Sequence, residues 1–108
     1  MNPIVKVIQP SGILDGIRGN ELRREVSEVV NIGADIVLID LQDVKFVDSS
    51  GLGALVSAMK TVRNANGKLF LCSMNDQVKM LFDLTKMDRI FEKFADRDEF
   101  NRLILATL

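Results

Sequence analysis

The sequence predicts an α/β fold in which a mixed, mostly parallel sheet of about five strands packs against about four helices. Short apolar, β-branched segments alternate along the chain with longer segments whose apolar residues recur at helical spacing. Residues 36–41 are apolar except for Asp40 and show no strict alternation, as expected of a strand that is buried on both faces. The chain has 108 residues, so we expect a single domain over residues 1–108.

The N-terminal third predicts two short strands and a helix. Residues 4–8 form the first strand, residues 10–12 a turn, and Ile13 begins the second strand. The glycine- and polar-rich residues 15–20 predict a loop. The next apolar residues share one helical face: Leu22, Val26, Val29 and Val30. Gly33 suits the end of this helix.

The rest of the chain alternates strand and helix. In order, the predicted elements are a strand, a helix, a strand, a helix, a short strand and a helix. Their approximate residues are 36–41, 52–62, 68–72, 75–82, 90–91 and 96–107. Phe46 and Val47 are predicted to lie in the core. Four scattered methionines are expected to act as packing residues: Met59, Met74, Met80 and Met87.

Composition excludes several classes of site. The chain has no histidine, which rules out a Ser-His-Asp triad, a Cys-His pair and a histidine-ligated metal site. We therefore expect no catalytic residues, no metal and no cofactor. The net charge of −1 argues against direct binding to nucleic acid or to a membrane surface. Cys72 is the only cysteine, so we expect a buried, inert thiol and a cytoplasmic location.

Residues 46–53, with the sequence FVDSSGLG, carry the most information about function. They lie between a predicted strand and a predicted helix, where Asp48, Ser49 and Ser50 could simply cap the helix. Alternatively, a serine hydroxyl at a helix start could accept a phosphate, and Gly51 and Gly53 could let another molecule approach the backbone. The G-x-S-x-G spacing of a nucleophilic serine and the P-loop pattern are both absent from the sequence.

The chain resembles the STAS domain, the family of bacterial anti-sigma factor antagonists and of the cytoplasmic tails of sulphate transporters. Residues 46–53 look like the phosphorylation motif of the antagonist branch. Three further segments agree with the family pattern, namely residues 11–15, 66–69 and 84–91. One position departs from it, since Lys86 stands where the family usually has a glycine suited to a positive φ. We expect this lysine to reduce stability.

The resemblance implies a phosphorylation-controlled exchange of partners. The unphosphorylated protein would bind an anti-sigma factor that is also a serine kinase, and this binding would release the sigma factor. The kinase would then phosphorylate Ser50, the complex would dissociate, and a serine phosphatase would reset the protein. Because ATP and the catalytic groups belong to the kinase, the chain itself would not be an enzyme.

The same resemblance implies a partner-binding surface and leaves one alternative open. The implied surface consists of Asp15, Asp48, Ser49, Ser50, Gly51, Leu52 and Gly53. The free protein would be a monomer or a weak dimer. In the alternative, the chain is a constitutive STAS scaffold subunit, stressosome-like or associated with a lipid transporter, and the serines are only caps or interface residues.

Overall fold

Six strands and four α-helices form the protein, and a computed structural model describes residues 2–108. In chain order they are β1 (Val5–Ile8), β2 (Ser11–Leu14), α1 (Gly16–Asn31), β3 (Ile36–Asp40), β4 (Asp43–Val47), α2 (Ser49–Asn64), β5 (Lys68–Cys72), α3 (Asp76–Leu84), β6 (Glu92–Phe94) and α4 (Arg97–Leu103). Short 3-10 helices follow α3, at Met87–Arg89, and α4, at Leu105–Thr107. Within residues 2–108, no helix combines the length and the apolar character needed to cross a membrane.

The strands form two separate sheets. The larger sheet has the order β1-β3-β5-β6, and the smaller one pairs β2 with β4. Every pairing is parallel, which agrees with the predicted α/β class and places the carboxyl ends of the strands at one edge of each sheet. About five strands in one sheet were predicted from the sequence, whereas residues 2–108 contain six strands in two sheets, and the additional strand is β4.

The larger sheet separates two apolar clusters. Alternate residues of β3 point to opposite faces, so Val37 and Ile39 join the cluster under α1, α2 and α3. Ile36 and Leu38 join the smaller cluster, which α4 covers with Phe100. All five residues of β3 are buried, as predicted for a strand covered on both faces.

The smaller sheet corrects the prediction for Phe46. Ile13 lies opposite Phe46 in the register, and Leu14 lies opposite Val47. Leu14 and Val47 are fully buried, whereas Ile13 and Phe46 are about half exposed. The prediction that Val47 lies in the core is confirmed and that for Phe46 is wrong, because successive residues of a strand face opposite sides.

Helix α1 begins earlier than predicted. The side chain of Asp15 accepts a hydrogen bond from the backbone N–H of Arg18 at 2.9 Å, so the helix starts at Gly16 and the predicted loop at residues 15–20 is wrong. Glycine disfavours a helix in isolation, but Gly19 is buried where α1 meets α2. A Cβ atom on Gly19 would lie only 2.9 Å from the Cβ of Ala54. Tertiary packing therefore explains this glycine.

Several predicted boundaries also change. The second strand begins at Ser11, inside the predicted turn, and the last strand is Glu92–Phe94 rather than residues 90–91. Helix α4 ends at Leu103, before the predicted end. Among the methionines, Met59 and Met74 are buried as predicted, but the prediction for Met80 is wrong, because it lies on the outer face of α3 with 62% of its surface exposed.

Lys86 adopts the positive φ to which the family's usual glycine is suited. Lys86 has φ +60° and ψ +18° immediately after α3, a conformation that glycine adopts without steric cost. The prediction that Cys72 is buried is confirmed, since it is completely buried in β5. Burial raises the pKa of the Cys72 thiol, which disfavours the reactive thiolate.

A buried carboxylate ties α4 to the larger sheet. Asp40, at the end of β3, is 1% exposed and accepts a hydrogen bond from the Arg97 Nε at 2.7 Å. The Arg97 Nη2 also donates to the Oε1 of Gln9 at 2.6 Å. Gln9 donates in turn to the carboxylate of Asp43 at 3.0 Å, so this chain of contacts links α4 with both sheets. The pair of Asp40 and Arg97 could not be predicted from the sequence, because its members are 57 positions apart.

Candidate functional site

The smaller sheet brings the first turns of two helices together. Leu14 ends β2 and Val47 ends β4, and these two residues lie opposite each other in the register. Asp15 and Asp48 follow them directly, and each caps the helix that comes next. A parallel pair of strands thus places the start of α1 beside the start of α2, as the resemblance implied for these two segments.

Asp48 fixes the first turn of α2. Its Oδ1 accepts a hydrogen bond from the backbone N–H of Gly51 at 2.8 Å. Its own backbone N–H donates to the carbonyl oxygen of Leu14 at 3.2 Å, which anchors the turn on β2. Asp48 therefore caps α2 with its side chain and joins the first turn of α2 to β2 with its backbone.

Ser49 and Ser50 occupy the first two helical positions and are exposed. Within residues 2–108, neither hydroxyl takes part in a hydrogen bond, because Asp48 is the capping side chain. The interpretation of this segment as a helix cap therefore holds for Asp48 but not for the two serines. Both hydroxyls are accessible to another molecule.

Gly51 and Leu52 lie beneath the serines and not on the outer surface. A Cβ atom on Gly51 would overlap the carbonyl oxygen of Leu14, so only glycine lets α2 approach β2 this closely. Leu52 is part of the larger apolar cluster. Gly53, by contrast, is exposed, and a Cβ atom there would meet nothing within 4 Å. Of the two glycines predicted to let another molecule approach the backbone, Gly53 is exposed and open to such an approach, whereas Gly51 serves internal packing.

A shallow cleft of about 260 Å³ lies between α1 and α2 beside Ser50. Gly16 forms one wall, since a Cβ atom on it would lie 3.9 Å from the Cβ of Ser50. The residues that line the cleft are Gly16, Gly19, Asn20, Arg23, Ser50, Gly53 and Ala54. Asn20 and Arg23 were not singled out from the sequence, and their spacing on α1 could have indicated them only if the neighbouring helix had been known.

The predicted surface residues are thus brought together, at different depths. Ser49, Ser50 and Gly53 are exposed, and Asp15 and Asp48 are partly exposed at the helix starts. Gly51 and Leu52 support them from below. Chemically, the arrangement presents an unbonded hydroxyl at the start of a helix, where the free N–H groups create a positive local field.

Known proteins match this chain in both sequence and structure. The family model described as the STAS domain matches residues 2–100. An anti-sigma-B factor antagonist of Listeria monocytogenes is 39% identical over 70 residues, which are 64% of this chain and 61% of that protein. The anti-sigma-B factor antagonist of Bacillus subtilis is 33% identical over 82 residues, which are 76% of this chain and 74% of that protein.

Solved structures share the fold. The crystal structure of a protein from Thermotoga maritima has a TM-score of 0.81 and 26% identity, and covers 89% of this chain and 83% of that chain. The anti-sigma factor antagonist SpoIIAA in its unphosphorylated form has a TM-score of 0.75 and 20% identity, and covers 95% and 91% of the two chains. The family model spans nearly the whole chain, and these structures match its fold, so the protein belongs to the STAS domain family.

Proposed function

We propose that this protein is an anti-sigma factor antagonist that phosphorylation of Ser50 switches off. In the unphosphorylated form it binds an anti-sigma factor that is also a serine kinase, and the sigma factor is released. The observation that carries the proposal is the exposed, unbonded hydroxyl of Ser50 in the first turn of α2, with Asp48 occupying the cap. The similarity to the anti-sigma-B factor antagonists of Listeria and Bacillus supports the antagonist role.

The chemical step takes place on the bound kinase. The Oγ of Ser50 attacks the γ-phosphorus of ATP and loses its proton to a base of the kinase. The Oγ–P bond forms, the bond from the γ-phosphorus to the bridging oxygen breaks, and ADP leaves. A serine phosphatase hydrolyses the ester and restores the hydroxyl. The protein acts as a substrate, and because the exchange uses ATP we place it in the cytoplasm.

Phosphorylation acts on the interface and leaves the fold intact. A phosphate adds about −1.5 to −2 charge and three acceptor oxygens. At the N-terminal end of α2 the fold tolerates this charge, because the helix dipole favours an anion there by about 0.3–1 kcal/mol. A partner surface that fits a neutral hydroxyl must instead desolvate and accommodate the charge. A cost of about 3 kcal/mol would weaken binding more than a hundredfold.

The proposed interface has a contacting layer and a supporting layer. Ser49, Ser50 and Gly53 meet the partner directly, with Asp15 and Asp48 at the edge. Gly51 and Leu52 determine the position of these groups through their packing against β2 and the core. The free protein is a monomer or weak dimer in this proposal.

The test combines mass spectrometry with binding. The intact mass of the protein purified from its native host, measured before and after phosphatase treatment with the site mapped by fragmentation, is expected to show one phosphate on Ser50. The Ser50→Ala variant should bind the kinase and never dissociate through phosphorylation, whereas the matched Ser49→Ala variant should still accept the phosphate. A single unmodified species across growth and stress conditions would contradict the proposal and favour a constitutive scaffold subunit.

A further inference from the structure

The cleft beside Ser50 has one charged lining residue, Arg23. The other lining residues are small or neutral, so the space between the two helices is open at the level of the hydroxyl. Its volume of about 260 Å³ exceeds by several times the roughly 30 Å³ that one water molecule occupies in the liquid. A phosphate group on Ser50 would therefore find room in the cleft.

The spacing of residues on α1 directs Arg23 toward the serine. Gly16, Asn20 and Arg23 lie at positions i, i+4 and i+7, which fall on one face of a helix. The Arg23 Nη1 lies 3.4 Å from the Oδ1 of Asn20, a long contact that turns the guanidinium toward the N-terminal end of α1. That end is where Gly16 meets Ser50.

The charge of Arg23 is not neutralised in the unphosphorylated protein. Within residues 2–108, the only salt bridge joins Arg97 to Asp40, so no carboxylate is paired with Arg23. The two carboxylates at the neighbouring helix starts are engaged as caps, Asp15 with the N–H of Arg18 and Asp48 with the N–H of Gly51. Neither carboxylate lines the cleft.

We infer that Arg23 holds the phosphate of phosphorylated Ser50 within the same chain, with Asn20 as a second ligand. This inference rests on the proposed phosphorylation of Ser50 and adds a residue on another helix to the switch. Guanidinium groups bind phosphate oxygens through two parallel charge-assisted hydrogen bonds. Arg23 can therefore hold two oxygens of one phosphate group at the same time. Phosphorylation then changes the proposed interface in two ways: it adds a charge at Ser50, and it holds the Arg23 guanidinium against the phosphate beside Ser50.

The test uses protein with phosphoserine encoded at position 50, so that no kinase is needed. Phosphorus NMR gives the second pKa of the phosphate, which is about 6 when unperturbed. A guanidinium in contact favours the dianion, so we expect a pKa lower by about 0.5 or more than in an Arg23→Gln variant. The matched control is Arg24→Gln, since Arg24 is exposed on the same helix but does not line the cleft.

Each outcome decides the inference. A pKa that rises in Arg23→Gln and stays unchanged in Arg24→Gln, with a new position for the Arg23 Nε–H signal on phosphorylation, supports the clamp. Equal pKa values in all three proteins, or equal rises in both variants, would overturn it. Both arginines are exposed, so the variants should fold normally, and matching circular dichroism spectra check this. If Ser50 is never phosphorylated in the native host, the proposed function fails, but the encoded phosphoprotein still decides whether the clamp exists.

Discussion

Gly51, in the first turn of α2, lies so close to Leu14 at the end of β2 that a Cβ atom on Gly51 would overlap the Leu14 carbonyl oxygen. The same carbonyl oxygen accepts the backbone N–H of Asp48 at 3.2 Å. Leu14 therefore positions both the cap and the turn that present the serines. The positions of Ser49 and Ser50 in the proposed interface therefore depend on the close packing of the first turn of α2 against the end of β2.

We predict that Gly51→Ala destabilises the protein while Gly53→Ala does not. The added methyl at Gly51 forces α2 away from β2, and overpacking of this kind costs about 1–3 kcal/mol. At Gly53 the methyl enters open space, and alanine in a helix is favoured over glycine by about 0.5–1 kcal/mol. Urea denaturation of both variants measures the two effects. A neutral Gly51→Ala variant would contradict the close approach.

A second prediction separates the capping role from the role of the serines. Asp48→Ala removes the side chain that accepts the Gly51 N–H and should lower the free energy of unfolding by about 0.5–2 kcal/mol. Ser49→Ala and Ser50→Ala should each change it by less than about 0.5 kcal/mol, because both are exposed and unbonded. Thermal melts of the three variants provide the comparison. If Ser50→Ala melts as low as Asp48→Ala, Ser50 is itself a cap.

Lys86 is expected to be replaceable by glycine with a gain in stability. The left-handed conformation costs a residue with a side chain about 1 kcal/mol, and Lys86 adopts it with φ +60°. Part of the gain is lost because glycine has more freedom in the unfolded chain, so we expect a net increase of about 0.5 kcal/mol. Lys79→Gly, in the exposed interior of α3, is the control with the opposite sign, at a cost of about 1 kcal/mol. Equal losses in the two variants would refute the assignment.

Arg97→Ala is predicted to loosen α4. Removal of the Arg97 guanidinium leaves the carboxylate of Asp40, which is 1% exposed, without its charged partner. A buried polar group that loses its partner lowers the free energy of unfolding by about 1–3 kcal/mol. Because Arg97 is 44% exposed, water can reach the site and keeps the loss at the lower end of that range. Arg102→Ala, an exposed position on the same helix, should be nearly neutral. Hydrogen exchange measures this difference: the α4 amides should exchange faster in Arg97→Ala than in Arg102→Ala. Equal exchange in the two variants would contradict a stabilising contact between Arg97 and Asp40.

Phosphorylation should perturb only the two helix starts. Ser50 is exposed, so a phosphate on it would lie outside the core, with Gly51 and Leu52 still packed beneath it. Backbone NMR spectra of the two forms should therefore differ around residues 15–23 and 48–54 and coincide along β3 and β5. Broad changes through these central strands would show that the switch works by refolding and not at the surface.

The sequence alone was sufficient to predict those features that neighbouring residues in the chain determine. The alternation of apolar strands and amphipathic helices predicts the α/β class, and five buried residues in β3 confirm its reading as a strand covered on both faces. The capping carboxylates Asp48 and Asp96 also follow from local chemistry, since each accepts a backbone N–H three residues ahead. The motif at residues 46–53 identified the candidate surface through its resemblance to a family.

Long-range contacts decided the rest. Phe46 is exposed because β4 pairs with β2 and Phe46 lies on the outer face of that pair. The pattern of apolar and polar residues at 43–47 did not indicate this pairing. The glycines of α1 look like a loop in sequence, but Gly19 is needed where the helix meets Ala54. Arg23 acquires its position beside Ser50 only when α1 lies along α2. Local propensity and capping determine which residues form each helix and strand, whereas the packing of distant segments determines which side chains share a surface.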